Sequence, residues 1–232
     1  MCWSGGKDSA LCLHKVLQTK EYDVKYLLTT VNEQFKRISM HGVREELLNE
    51  QAKKIGIPLV KIYVNEGTNA EYEKKMGETL LKFKAEGIEY VIFGDIFLED
   101  LRIYRENNLA KVGMTGIFPL WKKDTKELLN EFLSLNFKTI ICCTNDAYLG
   151  KEWAGRVIDE KFLSSLPTNV DACGENGEYH TFCFDGPIFK TSVKIIAREK
   201  IYKSLEVKIT DECNFTQSQT KGFWFCELLK KD

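Results

Sequence analysis

Apolar residues in the first half of the chain recur alternately with helical and with strand-like spacing. Ala10, Leu13 and Leu17 mark a first helix, and the run from Val24 to Val31 reads as a strand. Val43, Leu47, Leu48, Ala52 and Ile55 form a second helical stripe, closed by Gly56 and Pro58 before a strand over Leu59 to Val64. Tyr72, Met76, Leu80 and Phe83 predict a third helix, capped by Thr68 or Asn69 and stopped at Gly87 ahead of a strand over Tyr90 to Phe93. A further helix carries Leu98, Leu101, Arg102 and Arg105, and Gly116 to Leu120 reads as a fifth short strand. Alternation of this kind predicts an α/β fold, a doubly wound parallel five-stranded sheet of Rossmann type with helices on both faces.

Beyond Trp121 the pattern loosens. Leu128, Leu129 and Phe132 mark an amphipathic helix, Lys138 to Thr144 a strand, and Asp171 to Thr181 a stretch rich in glycine and acids. The tail alternates as strands over Ile188 to Ile196, Leu205 to Ile209 and Phe223 to Leu228. The expected organisation is a larger module over 1–121 and a smaller α+β module over 122–232, closely packed because no flexible linker separates them. Cys142 and Cys143, adjacent in a strand, point to opposite faces and read as filler.

Composition narrows this picture. A chain of 232 residues with 44% hydrophobic content can bury a substantial core. Charged residues make up 29% but nearly cancel, to a net charge of -1, so no nucleic-acid or membrane partner is expected. The apolar runs fall short of the roughly 20 residues of a membrane span, and Met1 leads into a polar loop instead of a signal peptide. The eight cysteines include no Cys-x-x-Cys, and the expectation is a cytoplasmic protein with reduced thiols.

The most informative local chemistry is Ser4-Gly5-Gly6-Lys7-Asp8-Ser9. Two residues without a Cβ let backbone amides approach an anion at the amino end of a helix. Lys7 adds a cation, and the Ser4 and Ser9 hydroxyls can donate to the same group. Asp8, which bare phosphate would repel, suits a role in holding Mg²⁺. The spacing is not that of Walker A, which disfavours γ-phosphate transfer. The plainer reading is a glycine turn that starts a helix. Only Met1, Cys2 and Trp3 precede the loop, against the usual five or so residues of a strand. Either native residues are missing before Met1 or the first strand is unusually short.

A second cluster gathers Asp171, Glu175, Glu178 and His180, bent by Gly174 and Gly177. Such a set could bind a metal, orient ammonia or act as a general base, or form a solvated turn. Gly94-Asp95 falls at the carboxyl end of a predicted strand, where open α/β sheets place ligands, although Asp95 could equally cap a helix. Arg102 and Arg105 share a helical face suited to a carboxylate or phosphate, or simply to solvent. His41 reads as a phosphate-side donor or a helix cap, and Trp121 as packing between the modules.

The hexapeptide from Ser4 to Ser9 resembles the pyrophosphate loop of the N-type ATP pyrophosphatases, a superfamily that includes GMP synthetase, NAD synthetase and tRNA-thiolating enzymes. Within it, several segments resemble the diphthine-ammonia ligase family. They are Met40-His41-Gly42, Gln51-Ala52 to Gly56-Ile57-Pro58-Leu59, Gly94-Asp95-Ile96, Arg102 to Glu106, Pro119-Leu120-Trp121, Leu149-Gly150 and, most specific, the block from Asp171 to Thr181.

The resemblance implies ATP and Mg²⁺, with the phosphates in the loop, the adenine against the backbone of Thr29 and Thr30, and His41 and Gly94 beside the nucleotide. It implies Lys7, Asp95, Glu175, Glu178 and His180 as catalytic groups, the two glutamates drawing in ammonium and taking its proton. Arg102, Arg105 and Asp171 become the substrate-side contacts. The implied reaction adenylates a carboxylate, releases pyrophosphate and amidates the adenylate with ammonia. In that family the acceptor is diphthine on elongation factor 2; another carboxylate would keep the chemistry. Two rival readings stand beside it, an ATP or AMP sensor and a tRNA-thiolating enzyme, the latter wanting paired cysteines and a basic RNA face.

Overall fold

The computed structural model describes residues 1–38, 41–65, 69–205 and 220–231. Along them run α1 (Lys7–Thr19), β1 (Leu27–Asn32), β2 (Arg37–Ile38), α2 (Glu45–Ile55), β3 (Leu59–Val64), α3 (Asn69–Ala85), β4 (Tyr90–Ile92), α4 (Glu99–Ala110) and β5 (Thr115–Ile117). The second half contributes α5 (Thr125–Ser134), β6 (Lys138–Asn145), α6 (Glu160–Ser165), β7 (Tyr179–Asp185), β8 (Ile195–Ser204) and β9 (Gly222–Lys230). Met40, the cap expected at Thr68 and most of the strand expected over Leu205 to Ile209 lie outside the described residues.

The structure is a mixed α/β fold whose strands fall into sheets of three, two and four. β1 pairs in parallel with β3, from Leu27 opposite Leu59 to Asn32 opposite Val64, and antiparallel with the short β2. β4 pairs in parallel with β5. The few residues ahead of the glycine loop run between these two groups. Cys2 forms a parallel bridge with Leu28. The Cys2 amide donates to Ile92 O at 2.9 Å, the Trp3 amide to Leu28 O at 2.7 Å, and the Leu28 amide to Met1 O at 2.8 Å. Backbone hydrogen bonds on both sides therefore deliver the loop to the carboxyl ends of β1 and β4.

The four-stranded sheet is antiparallel, in the order β7-β6-β9-β8. It corrects the reading of the tail. The expected strand over Ile188 to Ile196 overlaps β8 only at Ile195 and Ile196, and β7 and the rest of β8 were not anticipated. β7 begins inside the glycine-rich block, whose turns hide its alternation. β8 is a largely exposed edge strand paired with β9 alone, so no apolar period marks it. β6 is buried on both faces except at Lys138, which places Cys142 and Cys143 both in the interior.

One apolar core joins α1, α2, α5, β6 and β7, from Trp3 through Leu47, Leu129 and Ile141 to Phe182. It passes across the boundary expected at 121. A smaller core, with Leu28, Leu80, Val91, Phe93 and Leu109, lies under α3 and α4. No described helix is long and apolar enough to cross a membrane.

Candidate functional site

The loop between Trp3 and α1 is shaped by what surrounds it. Gly5 has φ +78, and a Cβ there would lie 2.7 Å from Gln51 Oε1 and 2.8 Å from Leu48 Cδ2, so only glycine fits. Gln51, fully buried on α2, pins the loop from below. Its Nε2 donates to Gly5 O at 2.9 Å and to Cys183 O at 2.6 Å, and its Oε1 accepts from Trp3 Nε1 at 3.0 Å.

Gly6 caps α1 in extended conformation without a side-chain bond of its own. Ser4 Oγ accepts from the Gly6 amide at 3.2 Å and donates to Ser9 Oγ at 3.2 Å, while Ser9 Oγ donates to Gly6 O at 2.9 Å. Unpaired N–H groups and the positive end of the helix dipole make such a terminus an acceptor of anions.

Lys7 is buried, and its Nζ lies 2.8 Å and 2.7 Å from the two carboxylate oxygens of Asp8 while donating to Cys173 O. Burial pulls the ammonium toward neutrality, but the Asp8 charge outweighs it and holds the pKa above the ordinary lysine value. Lys7 is thus a permanent cation. Its amide donates to Thr181 Oγ1 at 3.0 Å, which ties the first turn of α1 to β7.

A cleft of about 450 Å³ opens over the loop. Ser4 and Lys7 line it with Thr29, Thr30 and Asp95, and Glu175 and His180 face them from the second half of the chain. Gly94 lets the end of β4 pack on the loop, since a Cβ would come within 3.2 Å of the Asp8 backbone. α4 starts with Leu98 at its cap position, so Asp95 does not cap it. Asp95 instead pairs with Arg105, Oδ2 to Nε at 2.6 Å and Oδ1 to Nη2 at 3.1 Å, and the guanidinium lies 4.5 Å from the Phe93 ring centre.

Glu175 Oε1 accepts from the Ile96 amide at 2.8 Å. Burial lifts its carboxyl to about 7, against the opposing pull of that hydrogen bond. His41 and His180 stand with ring centres 4.6 Å apart. Burial lowers His41 to about 4, and burial together with His41 and Lys7 takes His180 well below its usual value, so both imidazoles are neutral at pH 7. His41 Nδ1 is 3.2 Å from Thr181 O, whereas His180 Nε2 is buried without a partner. The cleft therefore sets a fixed cation and a helix terminus opposite a carboxyl that titrates near neutrality.

A family model described as the diphthamide synthase N-terminal domain matches residues 1–116, and one described as the diphthamide synthase C-terminal domain matches 124–211. The chain belongs to the diphthamide synthase family. Similar proteins named diphthine-ammonia ligase include one from Danio rerio, 30% identical over 173 residues that cover 66% of this chain and 66% of that protein. Another, from Homo sapiens, is 31% identical over 134 residues, 55% of this chain and 49% of that one. A third, from Saccharomyces cerevisiae, is 27% identical over 224 residues, 81% of this chain and 33% of that one. The matched stretch spans less than two thirds of these relatives' lengths.

In this diphthamide synthase family member the first match carries the loop and the ends of β1 and β4, and the second carries Glu175 and His180. Asp8, Ser9, His41, Gly94 and Arg105 also line the cleft, whereas Asp171, Glu178 and Arg102 sit elsewhere. Asp171 Oδ2 accepts from the amides of Cys173 at 2.9 Å and Glu175 at 3.1 Å, and Oδ1 from Thr125 Oγ1 at 2.6 Å. Buried Glu178 accepts through Oε1 from the Asp171 amide and Asn176 Nδ2, each at 3.0 Å. Neither lines the cleft. They hold the turn that delivers Glu175. Arg102 also lies off the cleft, over the rings of Phe118 and Trp121 at 4.8 Å and 4.7 Å and paired with Glu106. Gln51 and Thr181 fall in segments that carry the resemblance, but no site role was expected of either. A polar residue inside the buried stripe of α2 was the available signal for the first.

Among the described residues no three His, Cys, Asp or Glu side chains gather as a metal-holding group. Magnesium asks for less, since it keeps several waters and takes one or two carboxylates together with substrate phosphates. Asp8, part-exposed beside the anion-accepting terminus, fits that donor set.

Proposed function

We propose that this family member is an ATP-dependent carbon-nitrogen ligase that adenylates a carboxylate, releases pyrophosphate and forms an amide with ammonia. The observation that carries this reading is the pairing, across one cleft, of the Lys7 loop with Glu175, whose carboxyl is lifted to about 7. The names of the similar proteins support diphthine as the acceptor and ammonia as the nitrogen donor. The sequence resemblance adds elongation factor 2 as its carrier.

ATP lies with its terminal phosphates on the start of α1, among Ser4, Gly6 and Ser9, and its adenine against Thr29 and Thr30. An acceptor carboxylate oxygen attacks the α-phosphorus, and pyrophosphate leaves with the bonding pair, its charge met by Lys7 and backbone amides. Glu175, about half ionised at neutral pH, takes the proton that ammonium gives up. Ammonia then attacks the acyl carbon, AMP leaves with the electron pair of the acyl–oxygen bond, the nitrogen gives its surplus proton to solvent, and the amide results. Magnesium, held by Asp8 and the phosphates, neutralises charge on the leaving group when bound. His180, whose Nε2 has no partner among the described residues, is the donor toward the phosphate side, and His41, its Nδ1 proton directed at Thr181 O, packs against the His180 ring.

The same proposal takes 1–121 as the ATP-binding module, built on a doubly wound parallel five-stranded sheet with Met1 to Trp3 as its central strand. Residues 122–232 form the substrate-side module, and the protein is cytoplasmic. The thiols of Cys2 and Cys173, which line the cleft, are pushed up by burial, and this favours nitrogen over sulfur chemistry.

The test is to incubate the chain with ATP labelled at the α-phosphate, Mg²⁺ and ammonium, with and without diphthine-bearing elongation factor 2. AMP formed only with the factor supports the ligase. AMP with a different carboxylate keeps the chemistry and changes the acceptor. ADP, or no turnover with any carboxylate, rejects the mechanism in favour of a nucleotide sensor.

A further inference from the structure

We propose that Glu227 on β9, outside the cleft, is a positioning residue that sets the place of His41 at the nucleotide, an inference that rests on the cleft being the ATP site. Glu227 is 8% exposed, a buried carboxylate that the mechanism above does not use. Two arginines from the first half of the chain close on it. Arg37 Nη2 lies 2.7 Å from Oε2, and Arg44 Nε donates to Oε1.

These arginines flank His41 and Gly42 in the chain. Arg37 sits in β2 and Arg44 at the cap of α2, and they face each other as an antiparallel bridge. Inside them the Ile38 amide donates to Val43 O at 2.9 Å and the Gly42 amide to Ile38 O at 3.0 Å. Arg37 uses its other terminal nitrogen, Nη1, to donate to Gly42 O at 2.7 Å. One guanidinium therefore links the Glu227 carboxylate to the residue next to His41.

β9 also holds Gly42 by packing. Phe225 lies two positions before Glu227, hence on the same face of the strand. Gly42 adopts φ +68 against it, where a Cβ would stand 2.6 Å from Phe225 Cδ1. His41, between this anchor and the cleft, reaches Thr181 O and the ring of His180. A carboxylate supplies two acceptor oxygens and a charge for both arginines. A glutamine of the same shape offers one acceptor and no charge, so the link from Arg37 to Gly42 loses its fixed anchor.

A merely structural ion triad would change stability and leave nucleotide affinity alone, so the readout is a double-mutant cycle on ATP affinity. With the full chain and Mg·ATP, calorimetric dissociation constants are measured for wild type, Glu227→Gln, His41→Ala and the double variant. Glu227→Gln is expected to weaken ATP roughly tenfold, the scale of a lost charge-assisted hydrogen bond. In the His41→Ala background the same change should weaken it less than about twofold, because the two residues act through one contact. Arg37→Gln, which cuts the link from a part-exposed site, is expected to repeat the coupling and serves where Glu227→Gln fails to fold.

Equal weakening with and without His41 overturns the proposal, as does a lowered melting temperature with unchanged affinity. If wild type binds ATP and His41→Ala weakens it while neither remote variant does, this proposal alone is overturned. A wild-type chain that binds no ATP overturns the reading of the cleft as well.

Discussion

Glu175 and Ile96 are joined by a 2.8 Å hydrogen bond that ties the acid-bearing turn of the second half to the edge of the parallel strands, just after Asp95. That bond stabilises the ionised carboxyl, yet burial dominates and places it at about 7. In the proposed mechanism Glu175 is the base, and a base works only when deprotonated. Amide formation should therefore rise through neutrality and level off above it, with an apparent pKa near that value. Glu175→Gln is expected to remove this limb and to lower kcat by about 10²–10⁴, with ATP affinity little changed. Stability runs the other way. A carboxyl whose folded pKa is raised contributes stability below its unfolded value of 4.5, and that contribution is lost as pH rises through about 7. Glu175→Gln should thus gain melting temperature relative to wild type at pH 8 and not at pH 4, read by calorimetry.

Lys7 is buried, held between the carboxylate of Asp8 and the carbonyl of Cys173. Lys7→Met would leave Asp8 without its cation at the proposed phosphate site, and nucleotide affinity should fall by at least about tenfold. Lys7→Arg should not restore it, because a planar guanidinium cannot occupy the pocket of a buried ammonium. Titration with Mg·ATP decides both.

Two glycines should respond with opposite signs. Gly5→Ala forces a positive φ on alanine and drives its Cβ against Gln51, a change expected to cost about 1–3 kcal/mol. Gly77 lies inside α3, where an added Cβ would meet nothing within 4 Å, so Gly77→Ala should stabilise by about 0.5–1 kcal/mol. Urea midpoints of the two variants measure the contrast.

What the sequence made legible follows the same physical divide. The glycine loop was readable from its two residues without a Cβ, and α1 to α3 because apolar positions at helical spacing carry their burial; α4 buries only Leu109. β2 was missed because two residues hold no period, and β8 because its side chains are mostly exposed. Asp171 and Glu178 look alike in sequence to Glu175. Only the folded turn separates the carboxylates that accept its amides from the one that faces the cleft.

Arg102 and Arg105 show that divide most sharply, since their spacing on α4 gave them one expected role. Arg105 faces the cleft wall and pairs with Asp95, itself mostly buried. Arg105→Ala would strand that carboxylate without its cation, and the expected loss is about 3–5 kcal/mol of stability. Arg102 rests on Phe118 and Trp121 and shares an exposed pair with Glu106, so Arg102→Ala should cost no more than about 1 kcal/mol, mostly from lost stacking. Thermal or urea unfolding separates the two variants. Equal losses would mean that the Asp95 pair is solvated in the working protein, and that the wall it forms between α4 and the end of β4 opens to water.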